Sequence, residues 1–450
     1  MTDQKLACFK AYDVRGRVPD ELDEELTYKI GRGYAEQLQA KTVVVGQDVR
    51  LSSAGFVHAL TRGLTEAGVK VLDIGLCGTE LIYFATSHLG TDGGIMVTAS
   101  HNPMDYNGLK FVAKHSIPLS GEAGLPELER RCLTGDLGAK REGGSIEQVD
   151  VSQAYVDHLL GYVNADACKP LRVVTDPGNG CAGPWIDLLA PRLPYDLARV
   201  CHEPDGNFPN GIPNPMLEGN RARTTEAVLA HRAHVGLAWD GDFDRCFFFD
   251  EQGRFVEGYY LVGLLAEATL KKHPGAKIIH DPRLTWNTRE MVTAAGGNPI
   301  QSRCGHAFIK DAMRKENAWY GGEMSAHHYF QNFYYCDSGM IPWLLVLEQL
   351  GADGRPFSAL LADRMAAYPV SGEINRRIQD ADACIAAIEA KYKPDALDVD
   401  YTDGISISYE AWRFNLRKSN TEPLVRLNVE SRGDTALMKD KTEELLAMLK

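Results

Sequence analysis

A strand, an acidic turn, a helix and a second strand recur three times along these 450 residues, and that repeat constrains the fold more than any other feature. The first copy is Thr42-Val43-Val44-Val45-Gly46-Gln47-Asp48, a helical stretch near 53–67, then Gly68 and a strand over 69–74. The second is Arg172-Val173-Val174-Thr175-Asp176, a helix near 183–190 and a strand over 196–200. The third is Lys277-Ile278-Ile279-His280-Asp281, a helix near 285–295, then Gly296-Gly297 and Pro299-Ile300. Alternating β and α units imply parallel-type sheets covered by helices. Three copies predict three related α/β domains in series. The final stretch differs. Strand-like runs over 404–409, 411–416 and 424–430 precede a helix over 434–449 with Leu437, Leu445, Leu446 and Leu449 at helical spacing. It reads as a smaller C-terminal α+β domain.

Boundaries fall at the Gly/Glu-rich segment 141–149, the turn Asp250-Glu251-Gln252-Gly253 and the segment 368–372. The expected domains are therefore 1–150, 151–253, 254–367 and 368–450. A composition of 44% hydrophobic and 24% charged residues fits globular domains. The formal charge of −13 argues against a nucleic-acid or anionic-membrane partner. An anionic substrate would then need Arg and Lys clustered locally. The start MTDQKLACFK has no apolar core long enough for a signal peptide. No apolar run reaches the roughly 18 residues of a membrane span. Ten cysteines are scattered with no CxxC pair, as expected of reduced structural cysteine in a cytoplasmic protein.

Four polar loops carry the chemistry. Thr98-Ala99-Ser100-His101-Asn102-Pro103 follows the apolar run Gly94-Ile95-Met96-Val97. The strand delivers a hydroxyl, an imidazole and an amide to a turn that Asn-Pro enforces, a way to expose a nucleophilic serine. Such clusters are commonly only turns and helix caps. Asp240-Gly241-Asp242-Phe243-Asp244-Arg245 lies between two strand-like runs, 235–239 and 246–249. Alternate carboxylates in extended chain point to one side, and a hard divalent cation relieves their repulsion. An EF-hand is rejected, because Arg245 stands where that loop needs glycine and the flanks are strands. Mg²⁺ suits a site of few carboxylates plus phosphate oxygen.

Gly321-Gly322-Glu323-Met324-Ser325-Ala326-His327 offers a carboxylate, a hydroxyl and an imidazole suited to sugar hydroxyls, or else forms an ordinary strand-end loop. Arg417-Lys418-Ser419-Asn420-Thr421-Glu422-Pro423 is a donor-rich nest for a dianion. Neither a P-loop nor a GxGxxG fingerprint is present.

All four loops, in this order, resemble the α-D-phosphohexomutase superfamily. The resemblance spans nearly the whole chain and also includes Phe9-Lys10-Ala11-Tyr12-Asp13-Val14-Arg15-Gly16 and Asn107-Gly108-Leu109-Lys110. The form Gly-Glu-Met-Ser-Ala-His and the aromatic Phe243 look like the phosphomannomutase/phosphoglucomutase branch. The family fold is three related α/β domains and a smaller α+β domain around a central cleft, each giving the cleft one loop.

The resemblance implies a phosphomannomutase, with phosphoglucomutase activity as well, that interconverts hexose 1-phosphate and hexose 6-phosphate. Phosphoglucosamine mutase, strict phosphoglucomutase and a metal-dependent sugar phosphatase are the alternatives. By motif, Ser100 is the phosphorylated residue, and Asp240, Asp242 and Asp244 hold Mg²⁺ with a phosphoserine oxygen. Glu323, Ser325 and His327 meet the sugar. Arg417, Ser419, Asn420 and Thr421 hold the phosphate that is not being transferred. Tyr12, Arg15, His101, Lys110 and Arg245 surround the reacting phosphate. His306 and Arg283 resemble further substrate contacts, although the family commonly has Lys at the Arg283 position, and a planar fork places phosphate differently.

The expected reaction moves the phosphoryl group from phosphoserine 100 to the sugar, giving a hexose 1,6-bisphosphate that reorients and returns its other phosphate. The bisphosphate also serves as activator. Three aspartates and a phosphoserine carry about −5, which Mg²⁺, Arg15, Lys110 and Arg245 offset by about +5. Lys110 and His101 are candidate base and acid; to act as base Lys110 would need a lowered pKa, which neighbouring cations would cause. Orientation of the serine loop is the other reading of His101. Water must be kept from the phosphoserine, so the final domain is expected to close by hinging near 368–372. The partner is a small phosphosugar, and a monomer is expected, with a dimer as the alternative.

Overall fold

Each of the three repeats lays its parallel strands beside one antiparallel strand, and the polar loops of interest lie in the connection between the two kinds. This is seen in a computed structural model that describes residues 5–119, 124–418 and 424–449. The chain forms two compact units, one of residues 1–255 and 332–352, the other of 256–331 and 353–450.

In the first unit one sheet has the order Val14–Arg17, Tyr106–Ala113, Gly93–Val97, Thr42–Gln47, Lys70–Leu76, Ser145–Gln148. Its middle strands are parallel, while Tyr106–Ala113 runs antiparallel to both of its neighbours. Val43, Val44, Val45, Ile95 and Val97 are completely buried. An unbroken apolar run is what a strand covered on both faces requires, and burying each such side chain contributes roughly 1.5–3 kcal/mol. A second sheet sets Cys246–Phe249, Val235–Trp239, Leu171–Asp176 and Tyr195–Arg199 side by side, again with one antiparallel pair, Val235–Trp239 and Cys246–Phe249.

In the second unit Asn298–Gln301, Lys277–His280 and Tyr320–Gly322 run parallel, and His328–Phe330 adds antiparallel to the last of these. The C-terminal sheet is wholly antiparallel, in the order Ile374–Arg376, Val425–Ser431, Trp412–Lys418, Ile405–Ser408, Asp398–Asp400. Helices Ala381–Tyr392 and Thr435–Met448 close its core, and Asp434 caps the second by accepting from the Leu437 amide. Three α/β sheets in series followed by a smaller α+β module is the expected fold class. The expected repeat helices appear as Ser53–Glu66, Ala182–Leu189 and Trp286–Ala294. Beside the expected parallel strands each of the three α/β sheets also holds an antiparallel strand, whose buried apolar pattern looks the same in sequence. Among the described residues no helix is long and apolar enough to cross a membrane.

Candidate active site

Strand Gly93–Val97 carries the chain into the serine loop, where the Asn102 amide donates to the Ala99 carbonyl at 2.9 Å. Ser100 stands at φ 47°, in the left-handed region that costs a non-glycine residue on the order of 1 kcal/mol. It is almost fully buried. Its hydroxyl donates to Asp240 Oδ2 at 3.0 Å and lies 3.0 Å from His101 Nδ1. The Thr98 hydroxyl accepts from the Ser100 amide at 2.9 Å.

The aspartates converge, but not by strand alternation. The loop is a turn with the buried Phe243 at φ 43°, and that left-handed step brings the three carboxylates together. One oxygen from each of Asp240, Asp242 and Asp244 lies within 4.8 Å of the others. Arg245 Nε donates to Asp240 Oδ2 at 2.7 Å, and its Nη2 meets the His101 ring. Lys110 Nζ donates to Asp242 Oδ2 at 2.7 Å and to Asp244 Oδ2 at 2.6 Å. The Thr79 hydroxyl donates to Asp242 Oδ2 at 2.6 Å. Asp240 Oδ1 and Asp242 Oδ1 are buried without a hydrogen-bond partner among the described residues. Buried carboxylate oxygens need a partner, and hard oxygens this close suit a divalent cation of the Mg²⁺ type.

Burial opposes ionisation of Asp240, yet Arg245 and His101 outweigh it and hold its carboxyl below the usual range. Burial likewise opposes ionisation of Asp242, and Lys110 overcomes it. Asp244 is pushed up by burial and by the Asp242 charge. Burial and the Arg245 charge lower His101 to about 4, so its imidazole is neutral near pH 7. The expected lowering of Lys110 is corrected: burial pulls its ammonium down, but Asp242 and Asp244 outweigh this and raise it. Its nearest partners are carboxylates, not cations. Arg15 is held by Asn102 Oδ1 at 2.6 Å and Asp13 Oδ2 at 2.7 Å, which ties it to the serine loop. Tyr12 lies in the bend before strand Val14–Arg17, half-buried.

The second unit gathers the other group. Glu323 accepts from the Gly305 amide at 2.9 Å and from the Tyr329 hydroxyl at 2.6 Å, and burial raises its carboxyl. His327 Nδ1 lies 3.7 Å from Glu323 Oε2 and 3.5 Å from Ser325 Oγ. His306 opens helix His306–Glu316 directly after Gly305, whose amide Glu323 holds. Arg283 is 2% exposed, with Nη2 on Asp281 Oδ2 at 2.8 Å and on Ser325 Oγ at 3.3 Å, and Nη1 on Glu373 Oε2 at 3.0 Å. Glu373 also takes Arg417 Nη2 at 3.5 Å and Arg426 Nη1 at 3.4 Å. Ser419, Asn420 and Thr421 lie outside the described residues. Asp281, Glu373, Tyr329, Thr79 and Arg50 were not singled out from sequence. Glu373 and Thr79 have no local signal, whereas Asp281 closes the third strand of the repeat.

Family models described as phosphoglucomutase/phosphomannomutase match almost the whole chain: α/β/α domain I over 7–136, domain II over 153–253, domain III over 257–368 and the C-terminal domain over 373–447. A phosphomannomutase of Salmonella typhimurium is 58% identical over 452 residues, covering 99% of each chain. A protein of Xanthomonas campestris named as phosphohexose mutases is 57% identical over 446 residues, again covering 99% of each. A crystal structure of a phosphoglucomutase/phosphomannomutase family protein from Burkholderia thailandensis superposes with a TM-score of 0.88 at 34% identity, covering 98% of this chain and 96% of that one. A serine hydroxyl on a three-aspartate turn, in a chain matched by all four domains, means that this protein belongs to the phosphoglucomutase/phosphomannomutase family of the α-D-phosphohexomutase superfamily and is a mutase.

Proposed function

We propose that this mutase interconverts mannose 1-phosphate and mannose 6-phosphate and also accepts the glucose phosphates, which differ only at C2. The observation that carries this is the Ser100 hydroxyl bonded to Asp240, within the group of three convergent aspartates. Phosphoserine 100 hands its phosphoryl group to the free sugar hydroxyl, and the second phosphate of the resulting 1,6-bisphosphate later returns to Ser100. Asp240, Asp242 and Asp244, with a phosphoserine oxygen, would hold Mg²⁺. That ion supplies charge neutralisation at the transferred phosphoryl group. Arg15, Arg245 and Lys110 add positive charge beside it. The neutral imidazole of His101, next to the Ser100 oxygen, can take or pass a proton there.

Glu323, Ser325 and His327 read sugar hydroxyls, with Tyr12, Arg283 and His306 as further contacts. Arg417, with Ser419, Asn420 and Thr421, binds the phosphate at rest. The same reading assigns domains 1–150, 151–253, 254–367 and 368–450, hexose 1,6-bisphosphate as activator, a small phosphosugar as partner, a monomer and a cytoplasmic location. It rests on the motifs, and the close relatives named as phosphomannomutases support it.

The deciding measurement is kcat/KM for mannose 1-phosphate and glucose 1-phosphate with Mg²⁺ and trace glucose 1,6-bisphosphate. Both should turn over within about tenfold of each other, or 1.4 kcal/mol of transition-state binding. Ser100→Ala should abolish turnover while sugar phosphate still binds. No turnover of either sugar would overturn the assignment.

A further inference from the structure

The Ser100 loop is held from behind by a single guanidinium. Arg50 lies three residues beyond strand Thr42–Gln47, and its side chain is 1% exposed. Its Nη1 donates to the carbonyls of Pro103 at 2.7 Å and Tyr106 at 2.9 Å. Its Nη2 donates to the carbonyls of Ser100 at 3.0 Å and Asn102 at 2.6 Å. Four main-chain oxygens of one loop are thereby gathered on the two ends of one planar fork. Asp48 completes the mount. Its Oδ2 lies 3.4 Å from Arg50 Nε and accepts from the Ala99 amide at 3.3 Å. Its Oδ1 takes the Arg50 amide at 2.9 Å and the Ser53 hydroxyl at 2.7 Å. From the other side Gly241 presses on the Ser100 carbonyl so closely that a β-carbon there would lie 2.6 Å from it.

We infer that Arg50, oriented by Asp48, is a positioning residue for phosphoryl transfer: it fixes Ser100 in its left-handed conformation and so aims the hydroxyl at Asp240. A strained backbone persists only where its surroundings over-determine it, and Arg50 supplies the bond to the Ser100 carbonyl itself. The rigid geometry of the fork matters more than its charge. A lysine would bring the same charge but could not span four carbonyls arranged in pairs. Arg50 touches no reacting atom, so its contribution belongs to the transfer step. Glu323, Ser325 and His327, proposed to read the sugar hydroxyls, lie in the other unit.

The inference rests on Ser100 being the phosphoryl carrier, and the test separates the two. Arg50→Lys and Asp48→Asn are compared with the unaltered enzyme for kcat, KM of mannose 1-phosphate, thermal midpoint, and the rate at which isolated phosphoenzyme loses phosphate to water, followed by intact mass. Arg50→Lys should lower kcat at least about thirtyfold with KM within about threefold, and change the hydrolysis rate of the phosphoenzyme. Asp48→Asn, which keeps the side-chain shape, should do the same to a smaller degree. If both variants fold and keep kcat and the hydrolysis rate, the inference is overturned while the carrier role of Ser100 stands. If Arg50→Lys does not fold, Asp48→Asn decides by the same two rates. Absence of phosphate on Ser100 of the unaltered enzyme during turnover would overturn both readings.

Discussion

At the scale of single residues, this protein places titratable groups where water does not reach them and lets neighbours set their charge. Asp240 and Asp244 stand in one turn, yet Arg245 holds the first ionised while burial and the Asp242 charge push the second up. His328 is the simplest case. It is fully buried, shares a 2.7 Å hydrogen bond with the Tyr320 hydroxyl through Nδ1, and its Nε2 has no partner among the described residues. Burial lowers it to about 3, against about 6.5 in the unfolded chain. Below pH 6.5 the unfolded chain therefore takes up a proton that the folded one refuses, and stability falls with falling pH down to about 3. This one group should contribute a slope of about 1.4 kcal/mol per pH unit between pH 6 and 4. Urea unfolding of the unaltered protein and of His328→Phe across that range should show a shallower loss in the variant. Parallel curves would mean that His328 is charged in the fold.

At the scale of elements, the same placement recurs. The serine loop joins Gly93–Val97 to the antiparallel Tyr106–Ala113, and the aspartate loop joins Val235–Trp239 to Cys246–Phe249. The glutamate loop joins Tyr320–Gly322 to His328–Phe330, and Arg417 lies in Trp412–Lys418, paired antiparallel with Val425–Ser431. Helix Thr79–His88 links the first two loops. Its first residue gives Asp242 a backbone and a side-chain hydrogen bond, at 3.0 and 2.6 Å. The next, Glu80, is buried and accepts from the Tyr155 and Ser338 hydroxyls and from the Gly339 and Met340 amides. Gly339 in turn packs on the Phe243 carbonyl, where a β-carbon would lie 2.3 Å away. Thr79→Val should weaken divalent-cation affinity, read as Mn²⁺ binding by calorimetry, by about ten- to a hundredfold, the worth of one buried hydrogen bond to a charged group. Unchanged affinity would remove Thr79 from the mount.

At the scale of the whole molecule, the two units divide the proposed work. Ser100 and the aspartates belong to the first, and Glu323, Arg283 and Arg417 to the second. Substitutions in each should therefore fail differently. Arg417→Ala should raise KM for hexose 1-phosphate by about ten- to a hundredfold, the loss of a charge-assisted contact, while leaving Mn²⁺ affinity unchanged. Asp242→Asn should lower kcat by about 10²–10³-fold and weaken Mn²⁺ binding, with KM little altered. Steady-state kinetics and calorimetry on both variants check this division. Equal effects on both readouts in either variant would contradict it.

The sequence by itself determined the order of elements and pointed to the loops proposed to carry the chemistry. Apolar runs such as Val43–Val45 can be satisfied only between layers, and Ser100, Asp240, Asp242, Asp244 and Glu323 stand in motifs whose residue types announce their use. Tertiary structure decided what those residues meet. The pairing of Lys110 with Asp242 and Asp244 spans more than 130 positions of chain, so no local pattern could show that its ammonium is raised and not lowered. The turn that gathers the aspartates depends on a left-handed Phe243, which is not the residue a sequence reading would choose for that conformation. Arg50 and Glu373 look like ordinary surface charges in the sequence. They become buried hubs because folding brings four carbonyls to one and three guanidinium groups to the other. Hydrophobic pattern is local and survives in a string of letters, whereas the partner of a buried charge is fixed only when distant segments meet.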